Sequence, residues 1–377
     1  MKKLLVALSV VFATFVAAAA VPSSTVAELT QLVQGLIAAH KSDTEIAIKL
    51  QEIHLSEQLT PKVLKGLLDE HPGPRTTQQI MLLLLDSSQL APPVTDIPTN
   101  PAPTAAEQAE LLKKAVMIVT ETFPKIPKLT ADKKSARFQN GVSYIKNTSG
   151  NGGSMSNTSG YSEIPEPVYL SLINQETLHI NTQAGVEDAP GYVKQKDPGG
   201  QLGQISQTVP GLSLLAVLGD LNKSAAPTWL RWQTMNDRQV AVFAFSVPRK
   251  QSSYKINYCC FPELEHIGSG MQFTGNSGTA TSFVPFKTAP GYHGELYVDA
   301  KTGLILRMIT KADPKVTDFV HQEDIRIDYE PVMVNGTTYV LPAHSTILST
   351  VVPNGDSYVK FSARRTLFDI TYSNYKP

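Results

Sequence analysis

Cysteine is nearly absent from this sequence, which removes one common source of stability in exported proteins. The 377 residues include two cysteines, the neighbours Cys259 and Cys260. Neighbouring cysteines cannot join distant segments as the disulfides of small secreted domains do. Stability is therefore expected to come from packing. A disulfide ring between the two cysteines, or a redox site, is the alternative to two ordinary thiols, although the C-x-x-C spacing of redox motifs is missing.

Excess charge of either sign is also lacking. Lysine plus arginine and aspartate plus glutamate number 33 each, so the formal net charge is zero. Without an excess, no long-range field draws the protein to nucleic acid or to an anionic lipid surface. We expect partners to be recognised by shape and apolar contact instead. Apolar residues make up 42% of the chain, which is enough for one large core and a second, smaller one.

The sequence lacks the motifs of common hydrolases and metalloenzymes. There is no H-E-x-x-H, no G-x-S-x-G and no phosphate-binding glycine loop. The nearest metal-like grouping, Glu263, Glu265 and His266, has no third partner at metal-ligand spacing. Ser252 and Lys255 match S-x-x-K, but their flanks are typical of strands, where positions three apart face opposite ways. We therefore predict no catalytic residue, no cofactor and no metal, and a hydrolase with residues that meet only in space is the least favoured function.

Apolar runs long enough to cross a membrane are lacking too. Lys2 and Lys3 precede an apolar run over residues 4–16 and a stretch of four alanines that ends at Ala20. This order is typical of a cleaved secretory signal, which we predict for residues 1–20. The run is shorter than the roughly 20 residues of a spanning helix. No cysteine near the cleavage region offers a lipid attachment site, so we expect a periplasmic or secreted protein with no integral membrane segment.

Residues 25–90 have the apolar period of helices. Leu29, Val33 and Leu36 share one helical face, and Ser42 with Glu45 matches a capping box. We predict an all-α module of four short amphipathic helices here. Residues 91–104 contain five prolines and are interpreted as a linker. The remaining residues, 105–377, form the second predicted domain.

Within this second domain, the run from Tyr292 to Tyr372 has short segments of alternating apolar residues separated by turn signals. Asn335-Gly336 is one such signal, because the pair readily takes the positive φ angles of a two-residue hairpin. The pattern predicts an antiparallel sheet and an α+β fold. The apolar faces of residues 105–122 and 212–221 predict helices that cover this sheet.

Two strands carry patterns that allow more than one interpretation. In residues 239–247 both faces are apolar, so one face packs on a helix while the other lines an interior, or the strand lies between two ordinary core layers. In residues 292–299 one face carries a polar set that we interpret as solvated rather than catalytic. Arg326 and Asp328 are likewise interpreted as exposed strand charges. The polar set consists of His293, Glu295, Tyr297 and Asp299.

The second half of the chain resembles exported bacterial proteins of the outer-membrane lipoprotein-sorting (LolA-like) family, including acidobacterial members. The resemblance covers roughly the last 140 residues and is carried by strand segments rather than by a catalytic signature. These segments are residues 238–243, 253–254, 291–299, 302–307, 327–329 and 339–342. It implies a strongly curved antiparallel half-barrel that helices close on the concave side, with an apolar interior able to take an acyl chain.

The resemblance and the strand faces together predict a ligand site and a function. We expect a soluble cell-envelope protein that binds a lipid or the acyl chain of a lipoprotein without catalysing a reaction. The alternative is a scaffold whose N-terminal helices dock a partner protein, for which a filled sheet interior would be favourable evidence. The residues predicted to line the cavity are Phe243, Phe245, Leu296, Leu306 and Ile327.

Overall fold

The computed structural model describes most of the chain from residue 23 onward. The described residues are 23–140, 144–146, 161–163, 170–183, 186–188, 204–205, 210–262, 283–318, 320–351 and 364–377. The predicted signal peptide lies outside them, and so does the grouping of Glu263, Glu265 and His266.

Over the described residues, six α-helices occupy the positions expected from apolar periodicity. The predicted capping box of Ser42 and Glu45 is present, and Pro61 is the first helical residue of the third helix. Two short 3-10 turns, Val94–Asp96 and Phe123–Lys125, flank the fifth helix. The helices are α1 Val26–Ala38, α2 Asp43–Gln51, α3 Pro61–Asp69, α4 Pro74–Asp86, α5 Ala105–Thr122 and α6 Pro210–Leu221.

In the part of the chain that the structure describes, fifteen strands form one large antiparallel sheet and two small ones. The strands are β1 Leu129–Asn140, β2 Tyr144–Lys146, β3 Tyr161–Glu163, β4 Leu170–Gln183, β5 Val186–Asp188, β6 Gln204–Ile205, β7 Thr228–Met235, β8 Arg238–Val247, β9 Ile256–Pro262, β10 Phe283–Thr288, β11 Gly291–Asp299, β12 Ile305–Asp313, β13 Val320–Val334, β14 Thr337–Val351 and β15 Arg364–Lys376. The large sheet has ten strands in the order β5-β4-β1-β15-β14-β13-β12-β11-β8-β7. The small sheets are β10-β9-β6 and β2-β3.

The α+β class and the antiparallel sheet are thus confirmed. The hairpin between β13 and β14 turns at Asn335 and Gly336, with φ angles of 49° and 80°. A second hairpin, between β7 and β8, turns at Asn236 and Asp237, with φ angles of 50° and 58°. Both have the positive φ at two central residues that matches the twist of a two-residue hairpin.

The strong curvature that we expected is not observed. Over the described residues the sheet runs from β5 at one edge to β7 at the other, and it is neither closed nor strongly curled. The observed architecture is therefore an open sheet covered by helices. The half-barrel expected from the resemblance is not confirmed.

Helices cover both faces of the large sheet. The front face, as we call it, packs against α5 and α6, which supply Ala115, Val119, Leu214 and Leu218 to a shared apolar core. The opposite, back face packs against helix α4, which shares a core with α1, α2 and α3. The back core combines helical residues such as Ile80 with Leu170, Leu348 and Leu367 of the sheet. The N-terminal helices therefore share a core with the sheet.

Helix α4 explains why the N-terminal helices and the sheet pack together. Residues 78–85 of this helix are all buried, including Ile80 and Leu84. A helix that is apolar all round must be covered on every side. The other N-terminal helices cover one side of α4, and the back face covers the other.

Gly294 on β11 lies where the sheet and its front core are closely packed. A Cβ at this position would lie 1.9 Å from the carbonyl oxygen of Ile309 and 2.7 Å from Cζ of Phe245. Moving this backbone oxygen would distort strand β12. Gly294→Ala is therefore expected to destabilise the protein by about 2–3 kcal/mol. Urea unfolding followed by circular dichroism measures the loss.

Gly66 is the matched control for this substitution. It lies in α3, and a Cβ there would have no neighbour within 4 Å. Since alanine is a better helix former than glycine, Gly66→Ala is expected to be neutral or to stabilise the protein by about 0.5–1 kcal/mol. Equal losses for the two variants would contradict the close packing inferred at Gly294.

Candidate functional site

The structure brings four of the five predicted cavity residues together on the front face. Phe243, Leu296 and Ile327 lie in one cross-strand row, because Phe243 pairs with Leu296, Leu296 with Met308 and Met308 with Ile327. Phe245 lies two residues further along β8. All four belong to the apolar core shared with α5 and α6.

Leu306 lies on the other face, so the prediction that all five residues line one cavity is wrong. It packs with Val242, Tyr297 and Ile309 on the back face. The cause is a break in the register of β11 and β12 between Tyr297 and Val298. Such an irregularity shifts the alternation of side chains, and period-two reasoning assigns the residue to the wrong face.

The four front-face residues are closely covered. Their exposed fractions lie between 0 and 5%. A ligand would contact them only after α5 or α6 had moved. Of these, α5 is the more weakly held: it buries Ala115 and Val119, while Val116 and Met117 on the same helix are exposed.

One end of the front core carries polar groups that sequence analysis missed. Glu323 is 2% exposed, and its Oε2 atom has no hydrogen-bond partner among the described residues. The same holds for the hydroxyl of Tyr254 and for Oγ1 of Thr310. Burial raises the pKa of Glu323 to about 8. The next largest effect, that of the neighbouring Tyr254 hydroxyl, lowers this pKa, and the smaller effect of the Asp324 charge raises it. Burial and the Glu323 carboxylate in turn raise the pKa of Tyr254 well above its ordinary value.

A second buried carboxylate fixes α6 against this end of the sheet. Asp220 accepts hydrogen bonds from the backbone N–H and the hydroxyl of Ser253, at 2.7 and 2.9 Å. The Tyr292 hydroxyl also donates to it, at 2.9 Å. The ring of Tyr292 packs edge-on against Phe245 and Tyr254. Aromatic contacts and a satisfied carboxylate therefore adjoin the unpartnered atoms of Glu323 and Tyr254.

Both tryptophans of the chain lie at the front core. Trp229 packs edge-on against Phe243, with ring centroids 5.7 Å apart, and against Trp232 at 4.8 Å. The indole N–H of Trp232 donates to the carbonyl of Pro101 at 2.8 Å. The proline-rich segment 91–104 is thereby joined to the same layer. Tryptophan emission should report any change between the front face and its covering helices.

The back face corrects two interpretations of the sequence. The polar set on β11 was expected to be solvated, yet Glu295, Tyr297 and Asp299 are each at most 4% exposed. Arg326 was expected to be an exposed strand charge, and it is 1% exposed. On β11, Gln58 of the segment before α3 contacts Tyr297 and so covers part of this polar set.

Hydrogen bonds connect the N-terminal segment to this buried polar set. Gln58 donates from Nε2 to the Tyr297 hydroxyl at 3.0 Å, and Gln233 donates to Oε1 of Gln58 at 2.7 Å. Tyr297 donates to Glu295 at 2.7 Å, and Glu295 forms an ion pair with Arg231 at 3.1 Å. Burial, followed by the charge of Glu295, raises the pKa of Tyr297 to about 12.

Two buried arginines share one carboxylate further along the back face. Asp328 accepts a hydrogen bond from Nε of Arg307 on one oxygen. On the other oxygen it accepts from Nε and Nη2 of Arg326, at 3.2 and 3.1 Å. Burial would raise the pKa of Asp328, but the two guanidinium groups and His344 outweigh it and hold the pKa far below its ordinary value. Burial and then Arg307 lower the pKa of Arg326 to about 10.

Two parallel rows of side chains extend from these arginines toward an open cavity. In one row Arg326 pairs with Thr346, Thr346 with Asp369 and Asp369 with Ala136. The adjacent row contains Arg307, Asp328, His344, Thr371 and Lys134. The cavity has a volume of about 260 Å³ and is lined by Pro74, Thr77, Lys134, Ala136, Phe138, Leu172, Gln175, Asp369 and Thr371.

Within the described ranges, no three His, Cys, Asp or Glu side chains are placed so that they could hold a metal ion. None of the helices seen over those ranges combines the length and the apolar character that crossing a bilayer requires.

Comparison with known proteins adds no family to this description. No family model, no curated protein and no solved structure matches the chain.

Proposed function

We propose that this protein is a non-catalytic protein of the periplasm or extracellular space that binds an apolar ligand between the front face and helices α5 and α6. The ligand would be a lipid or the acyl chain of a lipoprotein, held between the open sheet and its covering helices. The observation that supports this proposal is an apolar layer with unpartnered polar atoms of Glu323, Tyr254 and Thr310 at one end. Binding sites for small molecules combine an apolar lining with a few such convergent groups.

Ligand entry on this proposal requires movement of α5. This helix contributes Ala115 and Val119 to the front core and leaves much of its surface exposed. The acyl chain would take over the contacts that α5 gives up. Burial of apolar surface at about 25 cal/mol per Å² would supply most of the affinity. The polar atoms at the end of the layer would orient the head of the ligand.

The first test is a titration of the purified protein with palmitate, followed by tryptophan emission. We expect a saturable change in emission, because Trp229 contacts Phe243 in the proposed site. Leu296→Ala should weaken binding by about tenfold, the equivalent of 1.4 kcal/mol of lost contact. Lipid extraction of the purified protein followed by mass spectrometry gives an independent readout of bound acyl chains.

Leu306→Ala is the matched control for this titration. Leu296 and Leu306 are both buried leucines on neighbouring strands, but they lie on opposite faces. Both variants should lose stability, whereas affinity for palmitate should fall for Leu296→Ala alone. No saturable change in the unmodified protein, together with no extracted lipid, would refute the proposal.

A scaffold is the second candidate, and the tight cover of the front face favours it. Because Phe243, Leu296 and Ile327 are nearly inaccessible, the front layer also serves as an ordinary core. The N-terminal helices would then dock a partner protein. The palmitate titration distinguishes the two functions, since a scaffold with a solid core takes up no acyl chain.

A further inference from the structure

Two buried arginines on the back face share a single carboxylate, that of Asp328. Arg307 and Arg326 are each 1% exposed, and the carboxylate of Asp328 neutralises one of the two guanidinium groups. The carboxylate of Glu295 accepts a hydrogen bond from Tyr297 and forms an ion pair with Arg231. Asp369 contacts His344 at 2.5 Å, and this contact is an ion pair only when His344 is protonated. The two arginines and Asp328 together therefore carry an excess of one positive charge.

The same two arginines have unused hydrogen-bond donors. Nη1 of Arg307 and Nη1 of Arg326 are buried without a partner among the described residues. Oγ1 of Thr346, which is the cross-strand neighbour of Arg326, is buried and unpartnered as well. A buried donor without an acceptor costs free energy, and the cost is larger for a charged donor. Because Arg307 and Arg326 lie on neighbouring strands and share Asp328, their free donors belong to one cluster.

We propose that Arg307, Arg326 and Thr346 form a binding site for a small oxyanion, a carboxylate or a phosphate. Guanidinium groups present a planar set of N–H donors that matches the oxygens of these anions. A monoanion would balance the excess charge and accept the three free donors. The site lies on the back face and is separate from the apolar layer proposed to hold a lipid.

The structure also indicates the direction from which an anion enters. Asp328 and His344 are about a quarter exposed, at 23 and 25% of their side-chain surface, and Asp369 lines the open cavity. Lys134 lies in that cavity, in the same row as His344 and Arg307. An anion would therefore pass from Lys134 along the back face to the arginines.

Thermal unfolding at constant ionic strength tests this inference. Sodium phosphate and sodium acetate are each titrated against sodium chloride, and we expect one of them to raise the Tm in a saturable way, since a ligand that binds the folded state stabilises it. Whether phosphate or acetate acts identifies the class of oxyanion. If neither raises the Tm of the unmodified protein above its value in chloride, the inference is wrong.

Three variants locate the site. Arg326→Gln should weaken the anion response by about tenfold or more, the effect of losing a charge-assisted hydrogen bond. Arg238→Gln is the control, because that arginine pairs with Asp299 elsewhere and is 42% exposed. Thr346→Val should fold without difficulty, since it removes an unpartnered hydroxyl, and should also weaken the response. If Arg326→Gln and Thr346→Val respond to the anion as Arg238→Gln does, the anion binds elsewhere and the proposed site is refuted.

Discussion

Asp328→Asn is expected to destabilise the protein by about 3–5 kcal/mol, the range for removing one partner of a buried ion pair. Asparagine keeps the size of the side chain but loses its charge. Arg307 and Arg326, both 1% exposed, would then remain buried without the carboxylate that they share. Because Arg307 also lowers the preference of Arg326 for the charged state, the loss should exceed that of an isolated pair.

Urea unfolding at pH 7 measures this effect, with Asp69→Asn as the control. Asp69 pairs with Lys65 on α3, and its side chain is 62% exposed. Surface pairs of this kind contribute about 0–1 kcal/mol, so the control should unfold close to the unmodified protein. A loss below about 1 kcal/mol for Asp328→Asn would mean that the buried triad does not stabilise the fold.

The pH dependence of the two proteins gives a second measure of the same carboxylate. The folded-state pKa of Asp328 is far below the ordinary value of 3.8, so its contribution is present above that value and is lost as the pH falls further. The unmodified protein should therefore lose stability on acidification below about pH 4. The part of this loss that belongs to Asp328 should be absent from the Asn variant.

Turns and helix starts could be predicted from the sequence, whereas the burial of polar strand residues could not. Hairpins at Asn236-Asp237 and Asn335-Gly336, and the helix starts at Ser42 and Thr104, were predictable because local chemistry decides them. The solvation of the polar face on β11 was not predictable by the same means. Period-two alternation separates one face from the other but does not reveal what covers each face.

One sequence signal did indicate a second cover. Helix α4 contains the uninterrupted run Ile80-Met81-Leu82-Leu83-Leu84-Leu85, which is apolar all round. Such a helix must be buried on all sides, and four short helices alone offer little surface for this. An interpretation that started from α4 would have predicted that this helix packs on the back face of the sheet.

Leu306 and Glu323 show two different limits of pattern analysis. Leu306 was assigned to the wrong face because a register break between Tyr297 and Val298 shifts the alternation of side chains. A bulge inside a strand has little effect on the pattern of a single sequence, so it is hard to predict. Glu323, by contrast, lies in phase with Ile325 and Ile327 on β13. A carboxylate at a position reserved for apolar residues is a detectable signal, and it marks the polar end of the front core.

Glu323→Gln is expected to make the protein more stable at alkaline pH, which is the reverse of the effect of Asp328→Asn. The pKa of Glu323 is raised from 4.5 to about 8, chiefly by burial. The folded state therefore favours the protonated carboxyl group. Its contribution to stability is fully present below about pH 4.5 and is lost as the pH rises through about 8.

The size of this loss of stability follows from the shift in the pKa of Glu323. Each pKa unit corresponds to about 1.4 kcal/mol, so a shift of this extent gives a ceiling of about 5 kcal/mol between pH 4.5 and pH 9. Glutamine has nearly the same shape as protonated glutamate and stays neutral throughout. The two proteins should therefore have similar unfolding free energies at pH 5, and the Gln variant should be more stable by several kcal/mol at pH 9.

Urea unfolding at both pH values tests this predicted difference in stability, with Glu330→Gln as the control. Glu330 lies on the same strand, β13, and is exposed, so its substitution should leave the pH dependence unchanged. If Glu323→Gln and the unmodified protein lose stability in parallel between pH 5 and pH 9, the carboxyl group of Glu323 is charged in the folded state. The polar end of the front core would then hold an ionised carboxylate, and a ligand oriented by it would need a cationic or donor-rich head rather than an acceptor.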